Sequence, residues 1–382
     1  MFAKYCVAIF CDTFAGSMIV IIVDNLDIGG IQRFALDECY ALKAVEEDYC
    51  LLVLTNKKPN SMLVVDQEYL DNGTLNIHYL DYKIATRVIK FIKFLKVNKP
   101  RIIISHSVTA TLLARIASLL MLRNLKIYLW IHQAITLSSS LQAFKRVAYS
   151  NFASKLFFGA KHFESEWLEY INKRFYLKLL FYKKTHFSRL GVYLPRVLSP
   201  KFKEVSIQKR ESIIFASRLT KWKGFDKFRE IANFDEYLNY NHIVLTSGSW
   251  ASVETGKISD AEADLFVLAN ASPASLRSLR NAVHLYPTEY GIKTKYPQTI
   301  GLNVLEFLAL GIPSLISKES FETYPELKNS ILISTCQWNI PNDIKSKLST
   351  LMNLDPSEKI QASIDLHQTI SIDKHIDLIR KG

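Results

Sequence analysis

The chain has 382 residues, enough for two domains that each bury their own core. With 49% hydrophobic and 22% charged residues and no low-complexity tract, the composition excludes a disordered or fibrous chain. The net charge of +12 favours anionic partners, while an odd count of five cysteines without a CxxC pair argues against zinc and disulfide frameworks and fits a reducing cytoplasm.

From the N-terminus, residues 5–23 carry only one charge, Asp12. A spanning helix needs about 20 apolar residues, so this stretch is borderline. Residues 18–23, all apolar and followed by a glycine turn, read better as the buried first strand of a parallel sheet. Met18 is then a candidate start, and residues 1–17 an N-terminal extension.

Further apolar, β-rich runs lie at 50–54, 101–105 and 126–131. Helical patterns at 31–45 and 84–97 fall between them. Such alternation implies βαβ units and a doubly wound parallel sheet. Residues 81–101 hold seven Lys or Arg against one acid, with an apolar face of Ile84, Val88, Phe91, Ile92, Phe94 and Leu95. A basic amphipathic helix of this kind can lie on an anionic membrane, and the same pattern also suits an ordinary solvated helix. Residues 141–200 are basic too, with eleven Lys or Arg against three Glu. No nucleic-acid-binding signature accompanies them, so nucleic acid is not expected as a partner.

A second alternating set starts near Ser212. Its strands are expected at 213–216, 243–246, 265–268, 283–286, 314–316 and 331–333. Its helices include 224–232, 274–280 and 301–310. The boundary falls near 195–211, dividing the chain into 18–200 and 201–365, with a final helical segment at 366–382 expected to pack back on the first domain. Two such halves place a ligand between the carboxyl ends of their strands.

Two segments of the second half carry chemistry. Arg218 and Lys223 lie in a loop between a strand and a helix, where both could reach a diphosphate at a helix N-terminus. Two surface cations on a loop would look the same. Downstream, Gly301 and Leu302 open a helix on which Glu306 sits about a turn and a half further along. Glycine there lets backbone approach a phosphate. The apolar neighbours Leu305, Phe307 and Leu308 favour a buried, partnered carboxylate over a solvated one.

These segments resemble the signature of the retaining GT-B glycosyltransferases of family 4 (glycosyl transferases group 1). That family has a Gly-Arg-Leu-x-x-x-Lys-Gly segment that holds the donor diphosphate, and Arg218 and Lys223 keep its spacing. It also has a Glu-x7-Glu motif ending in Glu-Ala-x-Ala-x-Gly-x-Pro. Here Gln298 and Glu306 occupy the two ends, followed by Phe307 to Pro313. The resemblance implies that Glu306 holds the donor ribose and that position 298 faces the donor sugar. It further implies that the loop with Gly29 and Gly30 lies near the donor phosphates, and that His132, after a strand, lies near the sugar. Leu190-Gly191-Val192 resembles the family's Asn-Gly-Val turn before the linker.

The resemblance implies two Rossmann-like parallel-sheet domains facing across a cleft, the first for the acceptor and the second for a UDP-type nucleotide sugar. It implies retaining transfer of a hexosyl or N-acetylhexosaminyl group to a glycan or lipid-linked acceptor. The setting would be bacterial surface polysaccharide, lipopolysaccharide or capsule synthesis, at the cytoplasmic face of the membrane. In the family a donor phosphate oxygen is thought to take the acceptor proton. No Asp-x-Asp occurs, so no metal and no other cofactor is expected.

Two departures stand out. Gln298 replaces an acid with a neutral amide, which still hydrogen-bonds hydroxyls but carries no charge. The run from Pro287 to Gln298 is longer than the family's, with Tyr290, Lys293, Lys295 and Tyr296 in the extra loop. A nucleotide-sugar isomerase of the same fold and a non-catalytic sugar-nucleotide-binding subunit therefore remain as alternatives. A nicotinamide enzyme is disfavoured, since no strand is followed by GxGxxG.

Overall fold

The computed structural model describes residues 17–26, 29–55, 75–80, 84–132, 135, 139–174, 185–199, 211–217, 219, 223–246, 265–269, 271–279, 281–288 and 299–381. The first domain runs β1 (Ile19–Val23), α1 (Gly30–Ala44), β2 (Tyr49–Val53), β3 (Ile77–Tyr79), α2 (Ile84–Asn98), β4 (Ile102–Ser105), α3 (Val108–Leu120), β5 (Lys126–Ile131), α4 (Ser140–Ser150), β6 (Lys155–Phe158), α5 (Lys161–Asn172) and β7 (Thr185–Phe187). Its seven strands are ordered β3-β2-β1-β4-β5-β6-β7, and all pairs are parallel.

After a short helix α6 (Leu194–Val197), the second domain holds β8 (Ser212–Ala216), α7 (Phe225–Ala232), β9 (Asn241–Thr246), β10 (Leu265–Ala269), β11 (Ala282–Tyr286), α8 (Leu302–Ala309), β12 (Ser314–Ser317), α9 (Lys318–Glu322), β13 (Ile333–Cys336) and α10 (Pro341–Met352). Its parallel sheet is ordered β10-β9-β8-β11-β12-β13. Each sheet therefore changes winding direction once, between β1 and β4 in the first and between β8 and β11 in the second. Helices cover both faces, so the central strands are buried along their length, as in the fully apolar Ile-Val-Ile-Ile-Val of β1.

Three expectations need correction. The helix expected at 274–280 is a single 3-10 turn, Pro273–Leu276, entered through a proline and capped by Ser272. The strand expected at 331–333 is Ile333–Cys336, because its polar Ser334 and Thr335 hid a half-buried edge strand. Strands β3, β6 and β7, of three or four residues each, fell below the length at which periodicity is visible. The N-terminal extension and the linker residues 200–210 lie outside the described residues.

The chain ends in α11 (Pro356–Ile370) and α12 (Asp373–Arg380), which return to the first domain. At the crossing, Val192 bonds Ile370 O (2.9 Å) and receives a bond from Ile372 N (3.1 Å). A Cβ on Gly191 would stand 2.8 Å from the Ser371 and Ile372 backbone, so only glycine allows this approach. One hydrophobic cluster runs through Ile21, Phe34 and Trp130 of the first domain, Val304 and Leu305 of the second, and Ile372, Ile376 and Ile379 of α12. No described helix is long and apolar enough to cross a membrane. The apolar face of α2 expected for a membrane is instead turned inward, with Phe91, Ile92, Phe94 and Leu95 packed in the first-domain core. Helix α2 exposes Ile89, Val97, Lys90, Lys93 and Lys96, and α3 exposes Leu119 and Leu120, with Leu122 just beyond.

Candidate functional site

The two winding reversals make a crevice at the carboxyl end of each sheet, where open α/β sheets bind ligands. Each crevice holds a cavity. The one at the domain junction measures ≈ 220 Å³. Its floor is Ala216 and Ser217 after β8, Thr246 at the end of β9 and Tyr286 at the end of β11. Its far wall is the N-terminus of α8, with Gly301, Leu302 and Asn303. The first domain supplies Gly29, Gly30 and Arg33 from the start of α1, and Lys223 completes the ring.

Backbone sets most of these positions. Gly224 has φ +77°, and a Cβ there would lie 1.8 Å from Pro287 O, so the Lys223-Gly224 turn requires glycine. The Lys223 ammonium lies 5.8 Å from the centre of the Tyr286 ring. A Cβ on Gly30 would meet nothing within 4 Å, so the absence of a side chain there keeps space open. Gly301 caps α8, and its Cβ would crowd the Tyr286 hydroxyl at 3.2 Å. Asn303 donates to Ala216 O and touches His284 Nε2 (3.5 Å). His284 is fully buried against Phe307, and that burial lowers its pKa to about 3, which keeps it neutral.

Of the residues singled out in the sequence, Gly29, Gly30, Lys223, Gly301 and Leu302 come together on this cavity. Arg218 and Gln298 lie outside the described residues, as do 289–297 of the long loop. Glu306 stands behind the wall at 1% exposure with both carboxylate oxygens engaged. Arg33 donates to Oε2 (2.7 Å) and Arg196 to Oε1 (2.9 Å). Arg196, on α6 between the domains, also holds Asp37 of α1 in a two-pronged pair (2.6 and 3.0 Å). Two arginines thus balance two carboxylates in a buried cluster that ties α1 to α8.

Sequence reasoning missed Arg33 and Arg196. Arg33 was findable, since it lies one turn past Gly29 and Gly30 and shares their helix face. Arg196 was not, because nothing local marks a surface-type arginine in a short helix as 2% exposed.

The second cavity, ≈ 250 Å³, sits at the reversal of the first sheet. It gathers Asp24 after β1, His106 and Ser107 after β4, His132 after β5, Arg146 of α4 and Trp167 of α5. Burial raises the Asp24 pKa, partly offset by Ser107, Arg87 and His106. His132 is held well below the ordinary histidine range by burial and by His106, so it is neutral at pH 7. His132 thus lines this cavity and not the one with the glycines and Lys223, and the two cavities adjoin at the start of α1, where Gly30 lines one and Ile31 the other. Among the described residues, no group of three His, Cys, Asp or Glu is arranged to hold a metal ion.

Two facing parallel-sheet domains with this crossing helix have close counterparts among solved structures. Anabaena HepE in complex with UDP-glucose superposes with a TM-score of 0.69 over 95% of this chain and 98% of that one, at 12% identity. An alpha-glucosyltransferase in complex with UDP and a 13-mer DNA gives 0.66 over 95% and 98%, at 13% identity. Sucrose-phosphate synthase from Thermosynechococcus elongatus gives 0.66 over 96% and 98%, at 12% identity. The fold is GT-B. No family model matches the sequence, and no curated protein sequence matches it. Within the GT-B frame, the junction cavity is the cleft between the two domains, and the second cavity belongs wholly to the first domain.

Proposed function

We propose that this chain is a glycosyltransferase that takes a sugar from a nucleotide diphosphate and passes it, with retention, to a glycan or lipid-linked acceptor. One observation carries the reading: glycine-lined backbone from both domains, the N-termini of α1 and α8, and the Lys223 ammonium converge on one cavity. Helix N-termini and a cation are suited to hold a diphosphate and to steady the charge it gains as the sugar bond breaks. Arg218 joins Lys223 in this proposal, and Gln298 faces the transferred sugar, both by the family's spacing. Arg33 would add a third cation at the rim, steered by Glu306. Contact between Glu306 and the ribose is also part of the proposal and requires the sugar to reach a carboxylate that Arg33 and Arg196 already hold.

The donor is a UDP-sugar in this reading, since structures of the same fold were solved with UDP-glucose or UDP bound. The acceptor would enter at the first-domain cavity, beside His132. Its lipid-linked nature is supported by the exposed Leu119 and Leu120 of α3 and the exposed Lys90, Lys93 and Lys96 of α2, which suit an anionic membrane. Surface polysaccharide synthesis at the cytoplasmic face of the membrane is the setting that agrees with this.

The test is UDP release from UDP-glucose with no acceptor, with a free glycan, and with a lipid-linked glycan in anionic vesicles. Turnover that needs an acceptor supports transfer, with the vesicle arm fastest. Lys223→Ala should lower it on the order of 10²-fold to 10³-fold while the melting temperature holds. UDP-glucose binding without turnover in any arm would instead make this a binding subunit.

A further inference from the structure

Behind the first-domain cavity lies a chain of ring nitrogens that the reaction described above does not use. Glu38, in the middle of α1, is fully buried. Its Oε1 accepts from Trp130 Nε1 (3.0 Å) and lies 2.7 Å from His375 Nε2. Its Oε2 lies 2.7 Å from His106 Nε2. On its far side, His106 Nδ1 lies 2.8 Å from His132 Nε2. Beyond His375, its Nδ1 meets the Ser188 hydroxyl at 3.0 Å.

A buried carboxylate without donors would be costly, and here three ring nitrogens serve it. Burial pushes the Glu38 pKa up, but the charges and hydrogen bonds of His106 and His375 prevail and bring it down to about 2. Glu38 is therefore ionised and acts only as an acceptor. Both histidines must then turn a protonated Nε2 toward it. When His106 carries one proton, on the Nε2 that faces Glu38, its Nδ1 holds a lone pair, and the hydrogen at the 2.8 Å contact then belongs to His132 Nε2. That leaves the lone pair of His132 on Nδ1, for which no described protein group is a partner. Packing fixes the rings in these orientations. Trp130 stacks on His132 (centroids 5.5 Å, 19° between planes), and Phe34 sets its edge against Trp130, His106 and His132.

We propose that Glu38 and His106 are positioning residues that hold His132 as the Nε2-protonated tautomer, so that Nδ1 serves the cavity as a neutral acceptor for a substrate hydroxyl. The ligand class follows from the lone pair. A neutral acceptor takes O–H donors such as sugar hydroxyls and repels phosphate or carboxylate oxygens, which would need a donor there. If a hydroxyl proton moves onto Nδ1, the Nε2 proton passes to His106 Nδ1, and the positive charge rests on His106 beside the Glu38 carboxylate. The titratable groups that face His132 are His106, Glu38 and His375 in the chain, and Asp24 and Arg146 across the cavity.

The role assigned to His132 in substrate binding rests on the glycosyltransferase reading, whereas the tautomer does not, and the test separates them. Long-range ¹H–¹⁵N spectra of the full chain, ¹⁵N-labelled at histidine and assigned with His132→Gln, report which nitrogen carries the proton. At pH 7, His132 should show a protonated Nε2 and a bare Nδ1. The reverse pattern, or a charged ring, would overturn the proposal in the wild-type protein alone. His106→Leu should release His132 into a tautomer mixture, and His106→Asn, whose amide oxygen can accept from Nε2, should restore it. Glu38→Gln should shift His132 as His106→Leu does. With UDP-glucose turnover as the second readout, Glu38→Gln and His106→Leu should lower kcat roughly 10-fold to 100-fold with little change in KM for the nucleotide sugar, as when the partner of a functional imidazole is lost. An unchanged His132 spectrum in both variants refutes the positioning role even if the enzyme is active. The expected spectra without UDP-glucose binding refute the glycosyltransferase reading alone.

Discussion

The two cavities occupy the same place on their sheets and are built by opposite means. The junction cavity is shaped around backbone, with Gly29, Gly30 and Gly301, strand ends and two helix N-termini, and Arg33, Lys223, Tyr286 and Asn303 add side chains to it. The first-domain cavity is made of side chains, with Asp24, His106, His132, Arg146 and Trp167 brought in from five separate segments. A site made of backbone fits what every ligand of a class shares, such as a diphosphate. A site made of side chains can be retuned one residue at a time. That contrast agrees with a constant donor on one side and a variable acceptor on the other.

The largest expected effect tests what joins the two. Arg196→Met would leave Asp37 and Glu306 buried without their shared cation. Unfolding free energy in urea should fall by about 3–5 kcal/mol. A loss below about 1 kcal/mol would mean the cluster is not what fastens α1 to α8. Next in size is a pair of glycines that should separate backbone demand from cavity demand. Gly224→Ala meets both a left-handed φ and a Pro287 carbonyl at 1.8 Å, and should cost roughly 1–3 kcal/mol. Gly30→Ala meets nothing, so stability should hold while UDP-glucose affinity, read by calorimetry, drops as the methyl enters the cavity. Equal stability losses in both variants would erase the distinction.

Per pH unit, the smallest effect concerns acid. His284 supports Asn303 at the junction cavity and has its pKa depressed to about 3 from an ordinary 6.5. Below pH 6.5 the unfolded chain takes up a proton that the folded chain refuses. Stability is therefore complete above pH 6.5 and declines as pH falls toward 3, by on the order of 1 kcal/mol per pH unit for this group. His284→Asn should flatten that slope by the same amount in urea melts at stepped pH. An unaltered slope would place the acid sensitivity elsewhere.

The same contrast explains what the sequence disclosed. The doubly wound sheets were legible because buried parallel strands carry apolar runs such as 19–23 and 102–104. The junction glycines and Lys223 were legible because backbone sites need particular residues at fixed local spacing. Glu306 was rightly expected to be buried and partnered, but its partners Arg33 and Arg196 lie 273 and 110 residues away. No local pattern carries such distances. His132 was singled out, but the chain behind it was opaque for the same reason: Glu38, His106 and His375 look unrelated to it until the sheet and α12 assemble them.

The return of α12 has a consequence for synthesis. The first domain's core includes Ile372, Ile376 and Ile379, and Glu38 finds one of its imidazole partners only in His375. As the chain leaves the ribosome, the first domain must wait with that carboxylate short of one of its three ring-nitrogen partners until the whole second domain has been translated. Its completion is thus a late event, coupled to the arrival of a segment encoded more than three hundred residues downstream.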